Sequence, residues 1–180
     1  MSSVIASVIE LTDRVLGERS DLSRNWRRLE QRAEFSDKGL VGAVYAAAGA
    51  TASAAVADAA ERDARAVFDE DERAQLRALA ATMTMNNVGH RAKHFLGFER
   101  HPFGMRSKAT TEGPLPEREV WELAVSAVNG CEVCLREHAE RARDAGLTDD
   151  GVWHAVTAAS LTAALAHAAR AVEAAERAEG

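Results

Sequence analysis

The stretch of this chain whose residue types and spacing could carry chemistry is Cys131-Glu132-Val133-Cys134-Leu135-Arg136-Glu137-His138, and it holds both of the chain's cysteines. Residues three and four apart on a helix share a face. At about 100° per residue, Cys131, Cys134 and His138 (i, i+3, i+7) project along one stripe. Asn129-Gly130 is a natural chain break, which puts Cys131 at or beside a helix start. There the unpaired backbone N–H groups and the helix dipole stabilise an anion, and so favour the reactive thiolate. His138, one turn beyond Cys134, can take or return a proton. Spacing alone leaves four chemistries open: a redox dithiol, a zinc site of two cysteines and His138 completed by Glu119 or water, a structural disulfide, or two buried inert thiols. A c-type haem site is excluded because Leu135, not histidine, follows the second cysteine, and a thioredoxin fold because no strand pattern surrounds the motif. Glu119 lies twelve residues before Cys131. A hairpin turn at Asn129-Gly130 is expected to keep it from the thiols, whereas a kinked or offset continuation would bring it near.

The elements that must position these groups read as helices throughout. Alanine is abundant, β-branched alternation is missing, and the three prolines, Pro102, Pro114 and Pro116, fall in one interval. We expect helices near 3–16, 20–33, 37–49, 52–65, 71–84, 86–96, 117–128, 131–145 and 149–177. One long connection, 98–116, separates an N-terminal half (1–97) without thiols from a half (117–180) that carries them, within a single domain spanning 1–180. Asp69, Glu70 and Asp71 suit a helix N-terminus, as do Pro116, Glu117 and Glu119. Gly146 closes the cysteine helix and Thr148 caps the next. Residues 75–96 echo 117–138 in pattern, with Asn87 falling on Asn129 and Gly89 and Ala92 on the two cysteines.

The chain of 180 residues is 47% hydrophobic and 28% charged, which is enough to bury a core without a disulfide or metal as a staple. A net charge of -6 argues against nucleic acid, and the run Arg24, Arg27, Arg28, Arg32 is interleaved with acids and reads as a solvated helix face. No basic n-region precedes the first apolar stretch, which Glu10 interrupts, and the most apolar run, 152–169, contains His154 and His167 and reads as a core helix. We therefore expect a cytoplasmic protein with no membrane span, where paired thiols are more often redox or metal chemistry than staples.

The segment from Glu119-Val120-Trp121-Glu122-Leu123-Ala124-Val125-Ser126-Ala127-Val128-Asn129-Gly130 to Cys131-x-x-Cys134-x-x-x-His138 closely resembles the active-site segment of the alkylhydroperoxidase D (AhpD) family, in the carboxymuconolactone decarboxylase-like superfamily. Met85-Asn86-Asn87-Val88, Arg91 and Phe95-Leu96-Gly97 resemble its N-terminal repeat, and the likeness spans about residues 40 to 175. It implies an all-α fold built from a duplicated helical unit, and a homotrimer. It implies a redox-active disulfide, Cys131–Cys134, that reduces organic hydroperoxides and passes electrons from dihydrolipoamide to a peroxiredoxin. The donor would be the lipoyl group of a lipoylated dihydrolipoamide acyltransferase, and the acceptor alkyl hydroperoxide reductase C (AhpC). By position Glu119, Cys131, Cys134 and His138 take the catalytic roles, with Glu119 and His138 as a proton relay. No tightly bound cofactor or metal is implied. Some members carry a histidine just before the second cysteine. Val133 stands there in this chain, which leaves the proton traffic to His138 and Glu119.

A helical interaction module stabilised by zinc on Cys131, Cys134 and His138 is the alternative from another class. Other residues have plainer readings. His90 and His94 share a helix face without a supporting carboxylate, Met83 and Met85 read as core or interface filler, and Trp121 and Trp153 as core or interface packing.

Overall fold

A computed structural model describes residues 3–100 and 115–179. Among these the chain is all helix: α1 (Ala6–Leu16), α2 (Asp21–Arg32), α3 (Asp37–Gly49), α4 (Ala54–Arg65), α5 (Glu70–Leu96), α6 (Leu115–Asn129), α7 (Glu132–Asp144) and α8 (Asp149–Glu179). Most of the expected connection lies outside the described residues, while Pro116 sits in the first turn of α6, where its missing N–H costs nothing.

The centre of the molecule is α3. Gly39 through Ala48 are buried in unbroken succession, so the helix has no solvent face and reads apolar all round. It packs against α4, α5, α6 and α8. Its closest neighbour is α6, and the approach depends on a glycine: a Cβ at Gly42 would overlap the Trp121 indole. That indole donates from Nε1 to the Gly39 carbonyl (3.2 Å) and meets Phe68 edge to face at 5.9 Å. α8 lays Val152, Ala155, Ala158, Ala159, Leu161, Leu165, Ala166 and Ala169 into the core, so its long apolar run is a packing stripe. Far from the centre, α1 has no capping side chain of its own; Asp63 of α4 accepts from the N–H groups of Ser7 (2.8 Å) and Val8 (3.1 Å) and serves instead.

One expectation is corrected. The helices at 71–84 and 86–96 are one continuous helix, α5, because neither glycine nor proline interrupts 84–86, and the Thr84 hydroxyl accepts from Asn129 Nδ2 (3.4 Å). Of the residues read as core or interface packing, Trp121 and Met83 pack the core, and Trp153 (66% exposed) and Met85 (40% exposed) lie at the surface of this chain. The reason is register. On α8 the buried stripe runs through Val152, Ala155 and Ala159, and Trp153 falls beside it.

The helix ends follow local chemistry. Asp69 and Glu72 form a capping box at the start of α5. Gly146, at φ 99°, closes α7, and the Thr148 hydroxyl accepts from the Gly151 N–H (3.1 Å).

Candidate active site

Trp121 turns one face of α6 toward α3, and so turns another face toward α7. That second face carries Glu119, Glu122, Ser126 and Asn129, spaced at roughly one turn, and the first three are buried. A buried polar stripe must find partners, and here they come from α5 and α7. The Asn87 amide donates to Ser126 Oγ (3.1 Å), and its carbonyl accepts from Asn129 Nδ2 (3.1 Å). Arg91 donates to the Asn129 carbonyl. The two asparagines that echo each other in sequence thus meet in the fold, and α5 anchors the end of α6.

From that anchor the chain turns within two residues. Gly130, at φ 63°, lies in the left-handed region that glycine enters without strain. The Gly130 N–H bonds the Ala127 carbonyl (3.1 Å) and the Cys131 N–H bonds the Ser126 carbonyl (3.1 Å), a Schellman closure. Cys131 is at once the last residue of this closure and the N-cap of α7, where its Sγ accepts from the Cys134 N–H at 3.4 Å. Cys131 and Cys134 are joined as a disulfide, their Cα atoms 5.4 Å apart, and both are buried. Neither sulfur is then available as a zinc thiolate in this form.

Because α6 and α7 run antiparallel across so short a turn, Glu119 arrives beside His138: Nδ1 lies 2.8 Å from Glu119 Oε2. The hairpin, expected to keep Glu119 from the thiols, thus brings it to the histidine. The turn sets Ser126 opposite Cys131, and seven residues back along α6 and seven forward along α7 then reach the same level. Glu122, one turn further along α6, lies slightly farther off, with Oε2 3.2 Å from Nδ1 and Oε1 3.2 Å from Arg118 Nε. Nδ1 carries one hydrogen, and it is directed at Glu119. Glu122 Oε2 has no hydrogen-bond donor and is held near the ring by charge. Sequence reading passed over Glu122, although its i, i+3 spacing from Glu119 put both carboxylates on one face.

The electrostatics follow from burial and pairing. Burial disfavours the imidazolium, but the hydrogen bond to Glu119 and the adjacent negative charges of Glu119 and Glu122 outweigh it and push His138 up to about 9. Burial likewise opposes ionisation of Glu122, while His138 and Arg118 hold its carboxyl below the usual value. At neutral pH His138 therefore carries its proton, one helical turn beyond Cys134.

Among the described residues, Glu119, Glu122 and His138 are the group whose atoms lie close enough together to hold a metal ion. Nδ1 would have to give up its proton to a cation, and Arg118 already counters part of the acid charge, so the donor set suits a proton better than a metal. A cavity of about 130 Å³ reaches Cys131 between Arg91, His94, Phe95, Gly130 and Val133. His90 and His94 belong to no such ligand cluster; they line an adjoining cleft with Lys93, Phe98 and Val133. His154 is partly buried, edge-on to Phe35 at 6.4 Å.

The model of the carboxymuconolactone decarboxylase family matches residues 94–177. The alkyl hydroperoxide reductase AhpD of Corynebacterium aurimucosum is 34% identical over 162 residues, 87% of this chain and 92% of the relative. That of Acidobacterium capsulatum is 35% identical over 155 residues (83% and 85%), and that of Mycolicibacterium smegmatis 32% over 152 residues (82% and 86%). The all-helical fold and the extent of these matches place the chain in the AhpD family of the carboxymuconolactone decarboxylase-like proteins.

Proposed function

We propose that this protein is a dithiol peroxidase and disulfide reductase in which Cys131 and Cys134 cycle between dithiol and disulfide. The observation that carries the reading is the buried His138–Glu119 pair set one helical turn behind a cysteine pair at the N-terminus of α7. A structural staple would need no proton relay, and inert thiols would need no helix terminus.

In the reduced state the Cys134 thiolate attacks the terminal oxygen of an organic hydroperoxide. The O–O bond breaks, the alkoxide leaves with a proton from the relay, and Cys134 becomes a sulfenic acid. Cys131 attacks that sulfur, water departs, and the disulfide forms. A dihydrolipoyl thiolate then opens the disulfide, and the electron pair passes to the leaving sulfur, which takes a proton from His138. The second dihydrolipoyl thiol resolves the mixed disulfide, restoring the dithiol and yielding lipoyl disulfide. Cys131, which the cavity reaches, suits the role of the sulfur that the dihydrolipoyl thiolate attacks, and Cys134, one turn from His138, that of the sulfur released there and of the attacker on peroxide.

The cavity at Cys131 has room for a peroxide or dithiolane end but little more, which leaves the rest of a substrate on the apolar rim of Phe95, Phe98 and Val133. A lipoyl group on a lipoylated dihydrolipoamide acyltransferase would reach in this way, and the peroxiredoxin AhpC would present its disulfide at the same rim. Exposed Val88, Phe95 (78%) and Leu96 supply apolar surface for a homotrimer. The cycle belongs in a reducing compartment, the cytoplasm.

The test is dihydrolipoamide oxidation driven by an alkyl hydroperoxide or by oxidised peroxiredoxin. Turnover with the wild type, and its loss in both Cys131→Ser and Cys134→Ser, is expected. Stoichiometric zinc in protein purified without chelator, together with thiols that neither oxidise nor exchange, would instead establish the zinc-stabilised module.

A further inference from the structure

Glu122 is an uncommon kind of residue to find where it is. It is only 5% exposed, one carboxylate oxygen faces Arg118, and the other points at His138 with no hydrogen-bond donor of its own. An Arg and a Glu four apart on one helix ordinarily pair outward in solvent. Here the pair turns inward, so that Glu122 lies between the guanidinium and the imidazole.

We infer that Glu122 is a positioning residue of the dithiol site: with Glu119 it holds His138 Nδ1, fixes the ring, and keeps the imidazolium charged so that its other proton, on Nε2, can pass to the sulfur released when the disulfide opens. The inference rests on the redox reading above and adds to it a residue and a role. The charges support it. Glu119, Glu122, His138 and Arg118 sum to zero when His138 carries its proton, and to -1, buried, when it does not. The proton is therefore the group that balances the cluster, and Glu122 is half of what holds it there.

Other groups around the ring do not take its place. α5 and α8 also pack on α7. Of the charged and titratable residues they send toward it, Arg91 of α5 bonds the Asn129 carbonyl, His90, Lys93 and His94 of α5 line the cleft at Val133, and Asp149 of α8 pairs with Arg143. On α7 itself Cys134 lies one turn before His138 and is in the disulfide. The carboxylates that act on His138 are Glu119 and Glu122.

In the proposed cycle the step affected is disulfide opening. An external dithiol's thiolate forms a bond to one sulfur of Cys131–Cys134, the S–S bond breaks, and the released thiolate takes the proton from His138. Without Glu122 the ring holds that proton less tightly. The fraction of enzyme able to donate then falls at alkaline pH, while binding of the dithiol is untouched.

The experiment is an NMR titration of the His138 imidazole in the oxidised protein, wild type against Glu122→Gln and Glu122→Asp, beside the pH profile of disulfide opening by dihydrolipoamide. The expected result is a His138 midpoint about one unit lower in Glu122→Gln, the size of effect an opposite charge at this range exerts. The alkaline limb of kcat should move by the same amount at constant KM, and Glu122→Asp should recover most of the shift. A midpoint unchanged in folded Glu122→Gln would overturn the proposal. Should that variant not fold, Glu119→Gln decides. A His138 midpoint still above the ordinary histidine value means that Glu122 holds the ring, and a midpoint at or below that value means that it does not. The titration needs no turnover, so failure of the redox reading would show in the kinetics while leaving this outcome legible.

Discussion

Removing His138 tests the electrostatics of the site through stability, without reference to catalysis. A histidine whose proton is held more tightly in the folded than in the unfolded chain stabilises the fold wherever that proton is bound. His138 is raised from an ordinary 6.5 to about 9. Its contribution is thus complete below pH 6.5, declines between pH 6.5 and 9, and is gone above that. The difference of 2.5 units corresponds to roughly 3 kcal/mol at about 1.4 kcal/mol per unit. In urea, with an unfolding slope of about 2 kcal/mol per molar, the midpoint should fall by about 1.5 M across the window. The assay is urea unfolding of the oxidised protein from pH 6 to 9.5, at fixed ionic strength and fixed protein concentration, because assembly would couple stability to concentration. Both cysteines are in the disulfide, so no thiol titrates in this range. Tyr45, raised by burial above its ordinary value of 10, titrates beyond it. His138→Gln should flatten the wild-type slope. Parallel wild-type and His138→Gln profiles would refute the claim that buried carboxylates hold a proton on this ring.

Gly42→Ala should cost about 1–3 kcal/mol by overpacking, since its Cβ meets the Trp121 indole, and should broaden Trp121 fluorescence as the bond to Gly39 is lost. Asn87→Ala leaves the buried Ser126 hydroxyl and the Asn129 amide each short of a partner; we expect a loss of about 1–3 kcal/mol in thermal or urea unfolding, and slower disulfide exchange because α6 loses its anchor at the cysteine turn.

What the sequence made legible was mostly local. Gly130, Gly146, Asp69 and Thr148 act within a turn of themselves, and each ends or starts a helix where its chemistry places it. The cysteine stripe with His138 was legible for the same reason. What depends on the relation between helices was not. Whether Glu119 meets His138 depends on how sharply Gly130 turns the chain, and the two-residue Schellman closure makes that turn tighter than the spacing suggested. Glu122 was hidden although its spacing from Glu119 is plain, because only the docking of Trp121 against Gly42 decides which face of α6 looks toward α7. That the sequence left Trp153 between core and interface has a like origin. An aromatic residue inside an apolar run reads as core, and a single step of helical register moves it to the surface.

The most direct test of the redox account takes prereduced, metal-free protein, adds one equivalent of an alkyl hydroperoxide, and determines intact mass and free thiols. The account predicts loss of both thiols with the mass change of one intramolecular Cys131–Cys134 disulfide, reversed by dihydrolipoamide. Two thiols still free after the peroxide, and unreactive toward oxidised peroxiredoxin as well, would contradict it.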